Sequence, residues 1–514
     1  MTIPSADELF DLLGPEPEPA PTVAWAHQAK EFDEHKDDRC RALLWSMRTG
    51  KSKAVIDKAE YQFGEGAIEG VIVLAPNGIH INYCVNEIPK WSWPENGQPL
   101  AFAWEAPKRA DWGKIADFNT LCAHTGGLRW FAINMEAFGS NDEATRDVIA
   151  AVKRFKTACH GRFMLVISEA HHFGHAGAKR TRLARNLGKV AKFITLETGT
   201  AILNSPLRWY SMAKIMDDDA LGPDFQGDCY EKFVQRFAVI EDSDKRGNRK
   251  RRAYKKITGY RDLDELRDMM ANYASVVLRE DIGDMPALIS AERIVVMSDK
   301  QRRAYLEMVS RHLVEIENGE QITAVDAGAR MMKLQQIVNG YIKNEDAIIE
   351  IDPDAPIYAA LLEEVYGTLP GKSIIWCRYR EDIRRVVAKL KKAGFNPLEF
   401  HGGIPTDKRE GVRLAFQNDP AYNPLVGQPA AGGEGRDFSA ADAIIFFSST
   451  PNAIHYEQAK ERGTLIAGHS VSIVRMRTPG TVDDRNYDIV DGKITLADTV
   501  SGRGLRDLLM RTDV

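Results

Sequence analysis

Two short stretches hold residue types that together could bind and cleave a phosphoanhydride. In "LLWSMRTGKSKAVIDKA", Gly50-Lys51-Ser52 stands between an apolar run and a helical pattern. Backbone N–H groups at such a helix start can cradle phosphates, Lys51 can reach the outer ones, and the Ser52 hydroxyl can ligate Mg²⁺. In "LVISEAHHFG", residues 165–174, an apolar run ends where a nucleotide hydrolase usually places an acidic pair to hold metal and activate water. Here the first member of that pair is Ser168 and the second is Glu169. The full G-x-x-x-x-G-K-[ST] pattern is not met, because Trp45 fills the first glycine position. By itself the tripeptide reads equally well as an ordinary helix start. Gln28, in "TVAWAHQAKEF" upstream, tips the reading toward a nucleotide: an amide offers both a donor and an acceptor to the edges of an adenine.

These residues need strands to carry them. Between about residues 23 and 215, "RALLWSM", "GVIVLAP", "RWFAINM", "RFMLVIS" and "KFITLETGT" alternate with helical stretches, which predicts a parallel sheet with its ligand site at the carboxyl ends of the strands. The alternation returns between 371 and 500 in "KSIIWCR", "PLEFHGG", "PLVGQPA", "DAIIFFSS" and "VSIVRMR". Residues 216–350 read instead as amphipathic helix, for example "DLDELRDMMANYASVVLRE" and "DAGARMMKLQQIVNGYI". They also contain "DKRGNRKRRAYKK" (244–256), in which eight of thirteen residues are Lys or Arg. The expected organisation is a Pro/Glu-rich leader (1–22), a first α/β lobe (23–215), a helical insertion with a basic loop at 245–256 (216–350), a second α/β lobe (351–500) and a tail (501–514).

Composition narrows the class. A chain of 514 residues is too long for one ordinary core, and 44% hydrophobic with 27% charged residues is a globular balance. No apolar run reaches the roughly 18 residues that span a bilayer, and the N-terminus lacks the pattern of a secretory signal, so a cytoplasmic protein without membrane contact is expected. Six scattered cysteines form no C-x-x-C pair and read as free thiols. A net charge of −5 argues against a uniformly basic coat but leaves room for a local basic track.

The order of these motifs resembles superfamily 2 helicases, and within them the Snf-type DNA translocases related to chromatin remodellers, in the compact form common in phage and prophage genomes. The resemblance covers about residues 22–500. "MRTGKS" resembles motif I, "LAPNGIHINYCVNEIPKW" the motif Ia region, "SEAHH" the DEAH box and "LETGTAILNSP" motif III. "KSIIWCRYREDI", "VGQPAAGGEGRDFSAADAIIFFS" and "EQAKERG" resemble motifs IV, V and VI, and "KLQQIVNGY" and "RTPGTVDD" also fit the Snf-type pattern. The resemblance implies two RecA-like lobes that close on ATP and Mg²⁺ and so move along DNA. It implies that Thr49, Gly50, Lys51 and Ser52 hold phosphate and that Ser52, Ser168 and Glu169 face the metal. Glu169 would orient the attacking water, while Thr198, Gly199 and Thr200 would sense the γ-phosphate. Gly433, Glu434 and Gly435 would let backbone approach phosphate, and Arg462 would stabilise transition-state charge. DNA would be held through its phosphates by the 245–256 loop and by "KRTRLAR" (179–185); a charge run is more often a solvated face, and for the 245–256 loop the two readings stand about even.

Two departures touch catalysis. Ser168 is a neutral hydroxyl where the family has an aspartate, a poorer partner for a hard cation. Leu465 stands where motif VI has its second arginine, and a cross-site arginine is worth on the order of 10³–10⁵ in rate; Arg475 and Arg477 are the candidate substitutes. The expected activity is ATP-dependent DNA translocation or unwinding. The alternative is a nucleotide-gated DNA-binding or scaffold protein with weakened turnover.

Overall fold

Runs such as "GVIVLA" and "FMLVI" are apolar at every position, so the strands they form must be covered on both faces. The computed structural model describes residues 24–104, 112–138, 143–199, 206–227, 229–242, 255–278, 281–282, 288–317, 324–344, 347–430, 438–462 and 470–492. They divide into two units, one within residues 17–283 and the other within 284–514.

In the first unit the strands are β1 (Cys40–Trp45), β2 (Gly70–Ala75), β3 (Leu100–Trp104), β4 (Arg129–Asn134), β5 (Phe163–Ile167), β6 (Phe193–Glu197), β7 (Ala238–Asp242), β8 (Lys255–Tyr260) and β9 (Ala274–Val277). Seven of them form one parallel sheet in the order β3-β4-β2-β5-β6-β1-β9. Alternate residues serve opposite cores: Leu165 and Ile167 pack with Phe131, Phe155 and Trp209 on one face. Met164 and Val166 pack with Trp45, Val55 and Trp130 on the other. Strands β7 and β8 form a separate antiparallel hairpin. Most of the basic loop, 243–254, falls between them and lies outside the described residues.

Several stretches within 216–350, read from the sequence as amphipathic helix, are strands, β7, β8 and β9 among them. The stretch 262–280 was expected to be helical throughout, yet the helix stops at Ala271 and Ala274–Val277 becomes β9, paired with β1. The β-branched pair Val276-Val277 suits a strand, and pairing shields the edge that β1 would otherwise expose.

The second unit holds β10 (Leu288–Ile294), β11 (Tyr341–Lys343), β12 (Ile348–Glu350), β13 (Lys372–Trp376), β14 (Leu398–Phe400), β15 (Leu425–Gly427), β16 (Ala441–Phe446) and β17 (Val471–Arg477). Its parallel sheet runs β10-β17-β16-β13-β15-β14, while β11 and β12 form a small antiparallel pair. Each lobe is therefore a parallel α/β sheet, as the alternating runs predicted. All six cysteines are free thiols. Among the described residues, no helix is long and apolar enough to cross a membrane.

Candidate nucleotide site

Strand β1 delivers the phosphate loop. Trp45 is its last residue, fully buried, with its indole N–H donating to Ser275 Oγ at 2.8 Å. That explains the missing first glycine: position 45 is still core-facing strand, and the loop turns only after it. Two left-handed residues make the turn, Arg48 at φ 63° and Gly50 at φ 77°. Gly50 is the N-cap of helix Lys51–Gly64, and a Cβ there would overlap the Gln28 amide, so glycine is required both by conformation and by space. Thr49, wholly buried, closes the loop by donating from Oγ1 to Ser46 O at 2.8 Å. Lys51 Nζ donates to the carbonyls of Trp45 and Ser46, each at 2.9 Å.

The upstream helix Ala26–His35 buttresses this loop. Gln28 accepts from Trp25 N at 2.9 Å and donates to Gly50 O at 2.8 Å, and it is 4% exposed. His27 Nε2 reaches Thr49 O at 2.8 Å, and its ring packs edge-on against Trp45. A buried pair, Arg41 donating to Glu31 at 2.8 and 3.1 Å, fixes the helix to β1. The amide expected to read adenine is thus engaged with its own loop.

Strand β5 ends at Ile167, and the chain then turns sharply through Glu169, left-handed at φ 51°. Glu169 and His171 are both buried, and His171 Nδ1 stands 3.2 Å from Glu169 Oε2 and 3.1 Å from Thr198 Oγ1. Burial opposes ionisation of Glu169. The His171 hydrogen bond and charge, with Lys51 and His172, outweigh it and hold the carboxyl down to about 2. The acid of the "SEAHH" segment is therefore a carboxylate at any physiological pH, and one histidine ties it to the "TGT" segment. A Cβ on Gly199 would meet Met47 Cγ at 2.8 Å and Lys51 Nζ at 3.9 Å, which places that segment against the phosphate loop. Thr200 lies outside the described residues.

A second buried carboxylate stands beside this one, and the sequence reading did not single it out. Glu197 ends β6, and Tyr83 donates its hydroxyl proton to it at 2.7 and 2.8 Å. The Ser52 side chain lies close to Tyr83, and that of Ser168 lies close to Glu197. Burial raises the Glu197 carboxyl to about 7, against the opposing pull of Tyr83, Lys51 and Ser168. The only signal in the sequence was an acid at a strand end, in "LETGT"; what it faces depends on strand order.

In the second lobe the "KLQQ", "WCRYRED" and "TVDD" segments meet in one buried polar network. Gln335 donates to Ser449 O at 2.6 Å and accepts from Arg378 at 2.7 Å and Tyr379 OH at 3.0 Å. Ser449 donates to Asp483 at 2.6 Å. Asp382 accepts from Asn339, Tyr341 and Ser448 at 2.8–3.1 Å. Arg462 is buried just past the end of helix Ala453–Lys460, and its carbonyl accepts from Phe438 N. Arg475 is bound bidentately to Asp491, and Arg477 to Asp484 and Glu292, so both are engaged within their own lobe. Gly433, Glu434, Gly435 and Leu465 lie outside the described residues.

The basic "KRTRLAR" segment is helix Lys179–Gly188. A cavity of about 610 Å³ opens beside it, lined in part by Thr181, Arg182, Arg185, Lys214 and Lys232. Asp218 neutralises Arg185 at 2.5 Å, while Arg182 is exposed.

Residues 357–464 match the family described as the helicase conserved C-terminal domain. The chain is 22% identical over 392 residues to the "TATA-binding protein-associated factor mot1" of Schizosaccharomyces pombe, covering 65% of this chain and 19% of that protein. It is 21% identical over 352 residues to the Caenorhabditis elegans homologue of "SWI/SNF-related matrix-associated actin-dependent regulator of chromatin subfamily A-like protein 1", covering 66% and 45%. With the mouse "Chromodomain-helicase-DNA-binding protein 1-like" it shares 23% over 354 residues, covering 66% and 36%. The chain thus spans about a fifth of the length of the mot1 relative and under half that of the other two. Among solved structures, the "Sulfolobus solfataricus SWI2/SNF2 ATPase core in complex with dsDNA" aligns over 97% of this chain and 98% of that one, at 16% identity and a TM-score of 0.38. In sequence, the chain is similar to helicase-like proteins of the Snf2 type.

Proposed function

We propose that the chain is an ATP-dependent DNA translocase. The observation that carries this reading is the gathering of Lys51, Ser52, Glu169 and Thr198 around the carboxyl ends of the three adjacent strands β1, β5 and β6. A glycine-capped helix start cradles phosphates, and Lys51 exchanges its two loop carbonyls for phosphate oxygens when nucleotide enters. Glu169, already ionised, orients the attacking water as a hydrogen-bond acceptor. His171 carries the state of that carboxylate to Thr198.

Bound Mg²⁺ would screen phosphate charge. The residues that suit it are oxygen donors, Ser52 and Glu169, with the neutral Ser168 beside them. Exposed basic residues of helix Lys179–Gly188 hold DNA by its phosphates. Similarity to proteins named as chromatin regulators and to a helicase-DNA-binding protein supports DNA as the track.

The test is DNA-stimulated ATP hydrolysis by the purified chain against Lys51→Ala. Stimulated turnover absent in the variant supports the reading; wild-type turnover no higher than the variant's refutes it. Ser168 favours a second reading, a nucleotide-gated DNA-binding protein with poor turnover. That reading predicts nucleotide-dependent DNA affinity with slow hydrolysis, and it fails if hydrolysis is fast.

A further inference from the structure

The acidic group missing from position 168 has a neighbour in the right place. Strands β5 and β6 are parallel partners, with Ile167 opposite Leu196, so the next residues, Ser168 and Glu197, stand side by side at the strand ends. On its other side β6 pairs with β1, with Leu43 opposite Glu197, two residues before the phosphate loop leaves the sheet. Glu197 therefore sits between the strand that carries the loop and the strand that carries Glu169.

Its contacts point the same way. Glu197 is 2% exposed and accepts from the Tyr83 hydroxyl, which stands close to the side chain of Ser52. The Ser168 side chain stands close beside it. Lys51 is close enough to favour its charged form. Tyr83, Ser168 and Lys51 thus surround one carboxylate that the sequence places on a different strand from the one expected to bear it. A hydroxyl at 168 leaves room for that carboxylate, whereas an aspartate there would set two anions against each other in a buried site.

We propose that Glu197 supplies the carboxylate that the nucleotide-bound divalent cation, or its water shell, requires, in place of the acidic residue absent at 168, with Ser168 and Tyr83 as the hydrogen-bonding residues that orient it. The acidic function has moved one strand across the sheet, and the serine is its partner. This rests on the reading of the site as an ATP site.

The experiment measures binding of a non-hydrolysable ATP analogue to the full chain by calorimetry, in Mg²⁺ and in EDTA. Wild type should bind more tightly with Mg²⁺. Glu197→Gln should lose about tenfold of that Mg²⁺-dependent tightening and keep its affinity in EDTA. The exchange Ser168→Asp with Glu197→Gln should restore the metal dependence. Ser168→Asp alone leaves Glu197 untouched and tests the idea even if Glu197→Gln does not fold; it should tighten Mg²⁺-dependent binding less than about twofold, or weaken it, because like charges crowd. The proposal is overturned if Glu197→Gln retains the wild-type metal dependence, or if Ser168→Asp alone gains about tenfold, the mark of a vacant acidic position. If wild type binds no nucleotide with Mg²⁺, the ATP-site reading itself falls.

Discussion

Gln28 donates its side-chain amide to the carbonyl of Gly50 at 2.8 Å, and with it the helix before the first strand grips the turn that would hold phosphate. The other end of the same amide accepts from Trp25 N, so both halves of the side chain are used within the protein. Substituting Gln28→Ala strands the Trp25 N–H and removes one of the two bonds to Gly50 O, which keeps that from Ala54 N, and should lower stability by about 1–3 kcal/mol. Because the loop serves any nucleoside triphosphate, affinity for ATP and GTP should fall together. Paired titrations decide: a loss confined to ATP would instead mark the amide as an adenine reader.

His171 lies within 3.2 Å of Glu169 and 3.1 Å of Thr198, so the two segments share one side chain. Residues in one hydrogen-bonded network couple by roughly 0.5–3 kcal/mol. His171→Gln and Thr198→Val should each slow DNA-stimulated hydrolysis, and the double variant should be little slower than the worse single. Strict additivity in the kcat cycle would mean that the two segments act independently.

Lys58 is buried under the same upstream helix, donating to the carbonyls of His35 at 3.1 Å and Asp38 at 2.6 Å. Burial lowers its ammonium to about 8, against the pull of Asp38 and Glu31. Between that value and the ordinary one near 10.5 the unfolded chain binds more protons than the folded one, so this lysine makes stability rise with pH across that window. The rise amounts to about 3 kcal/mol. Urea midpoints from pH 7.5 to 10.5 should climb more steeply for wild type than for Lys58→Met, and equal slopes would contradict the assignment.

Gln335 shows how separate sequence motifs become one structure. It bonds to Ser449 and Arg378 across spacings of 114 and 43 residues, and each partner is otherwise buried or half-buried. Gln335→Ala should cost the second lobe about 2 kcal/mol or more, by stranding the Arg378 and Tyr379 donors. Gln335→Glu keeps the acceptor but sets a carboxylate oxygen against the Ser449 carbonyl and beside Asp483, so it should cost at least as much. Urea denaturation followed by tryptophan fluorescence would read both.

The strands that carry the candidate site were legible because β1, β5 and β6 are short, largely apolar runs followed or closed by polar residues, and because Gly50-Lys51-Ser52 sits where one run gives way to a helix. Strand β9 was not, since four residues at the end of an amphipathic stretch carry no period of their own. Glu197 was visible as a letter and invisible as a site residue. Its neighbours at 52, 83 and 168 come from three other elements, and only the order β5-β6-β1 brings them together. Gln28 was singled out for the right loop, but the direction of its amide depends on a helix docking that no spacing encodes.

Helix Lys179–Gly188 makes the DNA reading testable without touching the nucleotide site. Arg185 is neutralised by Asp218, whereas Arg182 is exposed beside the 610 Å³ cavity, so the two arginines of one helix differ in what they can offer a phosphate. An arginine placed on a phosphate releases a counterion on binding, and its loss reduces the slope of log K against log salt by about 1. Arg182→Ala should therefore weaken duplex DNA binding uniformly across sequences and flatten its salt dependence by about that unit, with basal ATP affinity unchanged. Arg185→Ala should instead act through stability, because it removes the partner of Asp218 and leaves the salt slope near wild type. If neither variant changes the slope, the charges of this helix face solvent rather than a nucleic-acid backbone, and the track lies elsewhere on the protein.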